Sequence, residues 1–134
     1  MTILRRAALV LALSCPFAGI ATAQADNGFP FGMDMQLETP PQPGSKRLPS
    51  LEIGDRGEAQ LDLWCKKGKG QFSVANDTIV FVPGGMSDQS CSPAAAQGDD
   101  ALVNALTQAT NWKRQGDMVS FVGPTTLRFR INTN

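Results

Sequence analysis

The sequence predicts a small β-rich domain that carries one helix and is pinned by a disulfide. Three observations lead there. Short runs of alternating apolar and polar residues recur between turns rich in Gly, Pro, Asn and Asp. One stretch alone, about 99–109, carries apolar residues at helical spacing. Beyond an N-terminal leader just two cysteines remain, Cys65 and Cys91, bracketing a Gly-rich segment and two strand-like runs.

Residues 1–25 read as a cleaved signal peptide. Arg5 and Arg6 form a basic start, Ala7 to Leu13 a short apolar core, and Ala23-Gln24-Ala25 a small-x-small cleavage site. Cleavage is expected after Ala25, with Ala23 as the alternative. The apolar segment falls well short of the roughly 20 residues a membrane span needs. Neither decoration of the leader is compelling: the surroundings of Arg5-Arg6 lack the rest of a twin-arginine motif. At Cys15, Ala12 stands where a lipidation signal prefers a larger aliphatic residue, and Pro16 follows the cysteine. The remainder is expected to be soluble, monomeric and periplasmic or secreted.

Of 12 basic and 12 acidic residues, the leader holds two basic ones and no acidic ones, which leaves a formal net charge of −2. A balance so close to neutral argues against a nucleic-acid or anionic-membrane partner held by long-range charge. In an oxidising compartment two cysteines allow one intramolecular pairing, Cys65–Cys91. Closing that loop stabilises by about 3.5 kcal/mol in the chain-entropy model. Zinc or copper would need further soft or imidazole ligands, and the chain has no histidine. No cofactor is expected.

Taken in order, residues 26–31 form a turn-rich entry. Met33, Met35 and Leu37 alternate with polar neighbours, a half-buried strand rather than a copper-binding methionine pair. Residues 39–50, with their prolines, read as a linker. We thus divide the mature chain into an N-terminal strand with a Pro-rich linker (26–50) and a domain (51–134). Leu51-Glu52-Ile53 is a short strand ended by Gly54, and 55–57 turn. Ala59, Leu61, Leu63 and Cys65 share one face of the next strand, which leaves Trp64 on the other, under a loop or exposed. Lys66 to Gly70 reads as a basic, Gly-rich hairpin turn without the spacing of a phosphate loop. Phe72 and Val74 face one way before a turn at 75–77. Thr78 to Val82 is dense enough for a central strand, broken by Pro83-Gly84-Gly85.

Ser92-Pro93 suits a helix entrance. Gly98 then interrupts, and Asp99-Asp100 open the main helix, where they complement its dipole. Leu102, Ala105, Leu106 and Ala109 form its apolar stripe. Strands over 111–114, 118–122 and 127–131, joined by short turns, complete an antiparallel meander. Leu127, Phe129 and Ile131 point inward, Arg128 and Arg130 outward.

From Leu51 to Ile131 the chain resembles the META/HslJ-like family of small bacterial envelope proteins. The matching features are Trp64-Cys65 with the Gly-containing segment up to Gly70, the strand pair 71–82, and the loop ending in Cys91-Ser92-Pro93. The acidic helix with Leu102 and Leu106, the Trp112 strand, the Gly116-Asp117 turn and Leu127-Arg128-Phe129 follow. Two positions depart from the pattern: Lys66 replaces an asparagine, and 86–90 only partly match the segment before the second cysteine. The resemblance implies an α+β fold, a curved, partly barrel-like antiparallel sheet around one helix of about 99–109. It also implies no enzymatic activity, and a loose link to heat-shock or drug-resistance phenotypes.

An enzyme reading fails on inventory: there is no histidine or tyrosine, the serines have no evident base, and the cysteines have a structural use. Nothing singles out a carboxylate pair among Asp62, Asp88 and Asp117. The expected function is a non-enzymatic envelope accessory protein that binds another protein or a cell-wall component. The alternative is a periplasmic inhibitor or small-ligand-binding module. The candidate binding surface comprises Trp64, Lys66, Lys67, Arg128 and Arg130. A filled core with an exposed patch favours the first reading, and an apolar pocket inside the sheet the second.

Overall fold

The computed structural model describes residues 28–43 and 45–133. The leader, its cleavage sites and Cys15 lie outside the described residues. Within the described residues, eight strands and one helix follow in order: β1 (Met33–Leu37), β2 (Ser50–Ile53), β3 (Glu58–Asp62), β4 (Lys67–Ala75), β5 (Thr78–Met86), α1 (Pro93–Gln108), β6 (Asn111–Gln115), β7 (Met118–Val122) and β8 (Leu127–Ile131). Each strand pairs antiparallel with the next, and β8 returns to β1 to close a barrel. The fold is α+β, as the resemblance implied.

The alternation in the sequence becomes the inside and outside of the barrel. Met35 and Leu37 of β1 sit in register with Ile131 and Phe129 of β8, and all four are buried. The strand ahead of the Pro-rich stretch is therefore a stave of the barrel, seated between β2 and β8. Phe72, Phe81, Phe121 and Phe129 fill the interior with ring centroids 4.8–5.7 Å apart. Contacts of this kind add to the area they remove from water.

Three local expectations are corrected. First, Lys67–Gly70 belongs to β4, and the turn lies earlier, where the Leu63 N–H donates to the Lys66 carbonyl at 2.8 Å. The glycines leave room for neighbours: a side chain at Gly70 would collide with the Phe81 ring, and one at Gly68 with Met86. Second, β5 continues through Pro83-Gly84-Gly85 to Met86. A register shift between Gly68 and Gly70 accommodates the proline, which ordinary ladder pairing excludes.

Third, the helix is one continuous element from Pro93, and Gly98 does not interrupt it. Ser92 caps it by accepting from the Ala95 N–H at 3.3 Å. Gly98 sits where Trp64 and Gln42 approach, too close for a side chain. The stripe Leu102, Ala105, Leu106 and Ala109 is buried as expected, each no more than 8% exposed.

The two ends of the barrel differ. The turns after β2, β4 and β6 gather at one end. Each is tight and holds one residue at positive φ: Gly57 (84°), Asn76 (55°) and Gly116 (59°). Phe29 closes this end, 5.2 Å from Trp112 and 6.0 Å from Phe72 by ring centroid. At the other end lie the connections after β1, β3, β5 and β7, and α1 meets all of them. It follows β5, lies against Gln42 and Trp64 at Gly98, and meets Gly123 at Ala109.

Candidate functional site

The helix end is built on the turn between β3 and β4. Cys65 in this turn is disulfide-bonded to Cys91, just before α1. Beside the disulfide, the Asp99 carboxylate accepts from the Cys65 N–H at 3.2 Å and the Lys66 N–H at 2.9 Å. Asp99 is 2% exposed. Its role is therefore not the cap and dipole contact expected of Asp99-Asp100: it ties the helix to the turn, while Asp100 stays exposed. The sequence carried a signal for this. Asp99 precedes Leu102 and Leu106 at helical spacing, and a carboxylate on an apolar stripe must be buried with partners.

The candidate surface residues separate into three places. Trp64 is 8% exposed and belongs to the core, packed beside Gly98. Strand alternation stops at Leu63, so facing away from β3 does not carry the indole to solvent. Lys66 and Lys67 line grooves at the helix end. Arg128 and Arg130 lie on the outer face of β8, where both pair with Glu38, at 3.8 Å and 3.0 Å. In the strand order, β4 and β8 are four strands apart either way round, on opposite sides of the barrel. The lysines and arginines therefore form no joint surface.

A groove of about 580 Å³ crosses the outer faces of β1 to β5. Two straight rows of side chains cross its floor. In one, Asp34, Glu52, Gln60 and Lys69 stand in direct register across four strands. In the other, Ser50, Asp62 and Lys67 do so across three. Arg47 pairs with Asp62 at 3.1 Å and donates to the Cys65 carbonyl at 3.2 Å, joining the groove to the disulfide turn. Asp34 and Glu52 thus stand toward one side and Lys67 and Lys69 toward the other, with Asp62 opposite Lys67. Only register reveals this, since the residues come from four separate strands. A smaller groove of about 300 Å³ separates Pro83 and Gly84 from Val103 and Asn104 of α1.

Among the described residues, no three His, Cys, Asp or Glu side chains are placed to hold a metal ion. No described helix is long and apolar enough to cross a membrane. Outward on β5, Val80 and Val82 are 60% and 58% exposed, beside a junction where β5 and β6 share a single register pair, Thr78↔Asn111.

A family model described as META domain matches residues 34–129. The fold is similar to an NMR structure of a protein from Burkholderia xenovorans, at 18% identity and a TM-score of 0.64, covering 98% of this chain and 100% of that one. A second NMR structure is similar at 15% identity and a TM-score of 0.58, covering 75% and 89%. No curated protein matches the sequence. At these identities the two structures speak for the fold alone.

Proposed function

The chain belongs to the META domain family, and from that premise we propose that it is a non-enzymatic accessory module of the cell envelope. It acts after export and signal cleavage near Ala25, by binding a protein or cell-wall component through its outer surface. The supporting observation is where the space lies. The barrel interior is filled by four phenylalanines, Met35 and aliphatic side chains, whereas the grooves open outward and combine charged groups with apolar residues such as Met86 and Val103. A filled core fits a module that works by its surface. Exposed Val80 and Val82 offer apolar contact of the kind macromolecular partners cover.

The test has two parts. Intact mass of protein from its native envelope should begin at Asp26 and gain two alkyl groups only after reduction. The same protein should co-sediment with purified cell-wall sacculi, or cross-link to one envelope protein, and Val80→Asp with Val82→Asp should weaken that retention. A chain found with its leader intact, or one that neither sediments nor cross-links at low salt, would contradict the reading.

A further inference from the structure

We propose that the large groove across β1 to β5 binds a short peptide segment bearing both a free ammonium and a free carboxylate about 10 Å apart. This rests on the reading that the outer surface is the working surface, and it names the ligand chemistry of one site there.

The row Asp34–Glu52–Gln60–Lys69 carries an unbalanced charge pattern. Asp34 and Glu52 are directly opposite each other on β1 and β2. Like charges in that position destabilise a sheet. Among the described residues, no lysine or arginine nitrogen forms an ion pair with either carboxylate. Asp34 instead accepts from the Asn132 amide, which brings no charge. The row thus places two negative groups side by side at one end of a concavity.

The opposite wall is complementary. Lys67 and Lys69 stand two residues apart on the same face of β4. Asp62, across from Lys67, is already engaged by Arg47. The ammonium of Lys69 lies at the far end of the row from Glu52, two strand spacings away, about 10 Å between backbones. Between them Gln60 offers an amide that both donates and accepts.

A bound ligand should therefore present a cation to the Asp34–Glu52 wall, a peptide unit to Gln60 and an anion to the lysines. An extended tripeptide, at about 3.4 Å per residue, spans that distance between its termini.

The test is an amide chemical-shift titration of the full-length protein, after any native processing, with trialanine. Its N-acetylated, C-amidated and doubly blocked forms are run in parallel. Shifts should concentrate at residues 34, 52, 60, 67 and 69, with affinity in the millimolar range. Each single block should weaken binding roughly two- to fivefold, as expected for loss of one exposed ion pair. Glu52→Gln should abolish discrimination between free and acetylated amino termini while keeping that between free and amidated carboxyl termini. Lys69→Gln should do the reverse. Equal binding of free and doubly blocked peptide, or no shift at the groove, would overturn the inference. If these peptides fail while cell-wall or partner retention persists, this site is wrong and the surface reading stands. If peptide binding is intact while that retention is absent, the site stands and the wider reading falls.

Discussion

The two ends of this barrel are closed by different physics. At the end holding the turns after β2, β4 and β6, closure is local: each turn has a residue able to adopt positive φ, and Phe29 seals the gap. At the helix end, closure is tertiary. The β3–β4 turn has no positive-φ residue, and a disulfide and a buried carboxylate hold it against α1. Connections tied to distant residues leave grooves beside them, one lined by Trp64, Cys65 and Cys91 and another by Lys66, Asp99 and Val103. The grooved end is thus the one whose shape depends on long-range ties.

Four variants probe this contrast, the most costly first. Leu106→Ala removes a fully buried contact beneath α1 and should cost about 2–5 kcal/mol in urea unfolding. A cost below about half of one kcal/mol, the range of an ordinary surface change, would mean that the helix is not part of the core. Replacing both Cys65 and Cys91 by serine should cost about 3.5 kcal/mol, chiefly through the unfolded chain. An unchanged melting temperature would show that the disulfide contributes nothing to closure.

Asp99→Ala should cost about 2–3 kcal/mol, because it leaves two N–H donors of the turn without their acceptor. Its amide shifts should appear at the grooved end and spare the turns at 76–77 and 116–117. Gly116→Ala should cost about 1 kcal/mol, since positive φ disfavours a side chain while nothing crowds the position. That loss should leave the grooved end's spectrum unmoved. Shifts spreading from either variant to both ends would show that the two closures are coupled.

Much of this was legible in the sequence, for reasons that differ by region. Period-2 alternation in Met33–Leu37 and Leu127–Ile131 survives because one face of each strand is inside the barrel. The stripe Leu102–Leu106 and the Ser92-Pro93 entrance are local signals, and so is the pair of cysteines. What the sequence hid was decided by distant neighbours. Gly68 and Gly70 look like turn residues until Phe81 and Met86 claim the space above them. Gly98 looks like a helix breaker until Trp64 lies against it. The charged groove depends on the register of four strands, which no single segment encodes. Asp99 stands between these cases, visible as a carboxylate on an apolar stripe although its partners are 33 and 34 residues away.

The Cys65–Lys66 turn is held by a buried carboxylate as well as by a disulfide, and the grooved end depends on both ties. Native-state hydrogen exchange of the Cys65 and Lys66 amides, in oxidised and in reduced protein, separates the two. Both amides should be protected by on the order of a hundredfold or more in the oxidised protein. They should remain measurably protected after reduction, and Asp99→Ala should abolish that remainder. Exchange at the rate of an open loop in the oxidised wild-type protein would contradict this picture of the turn.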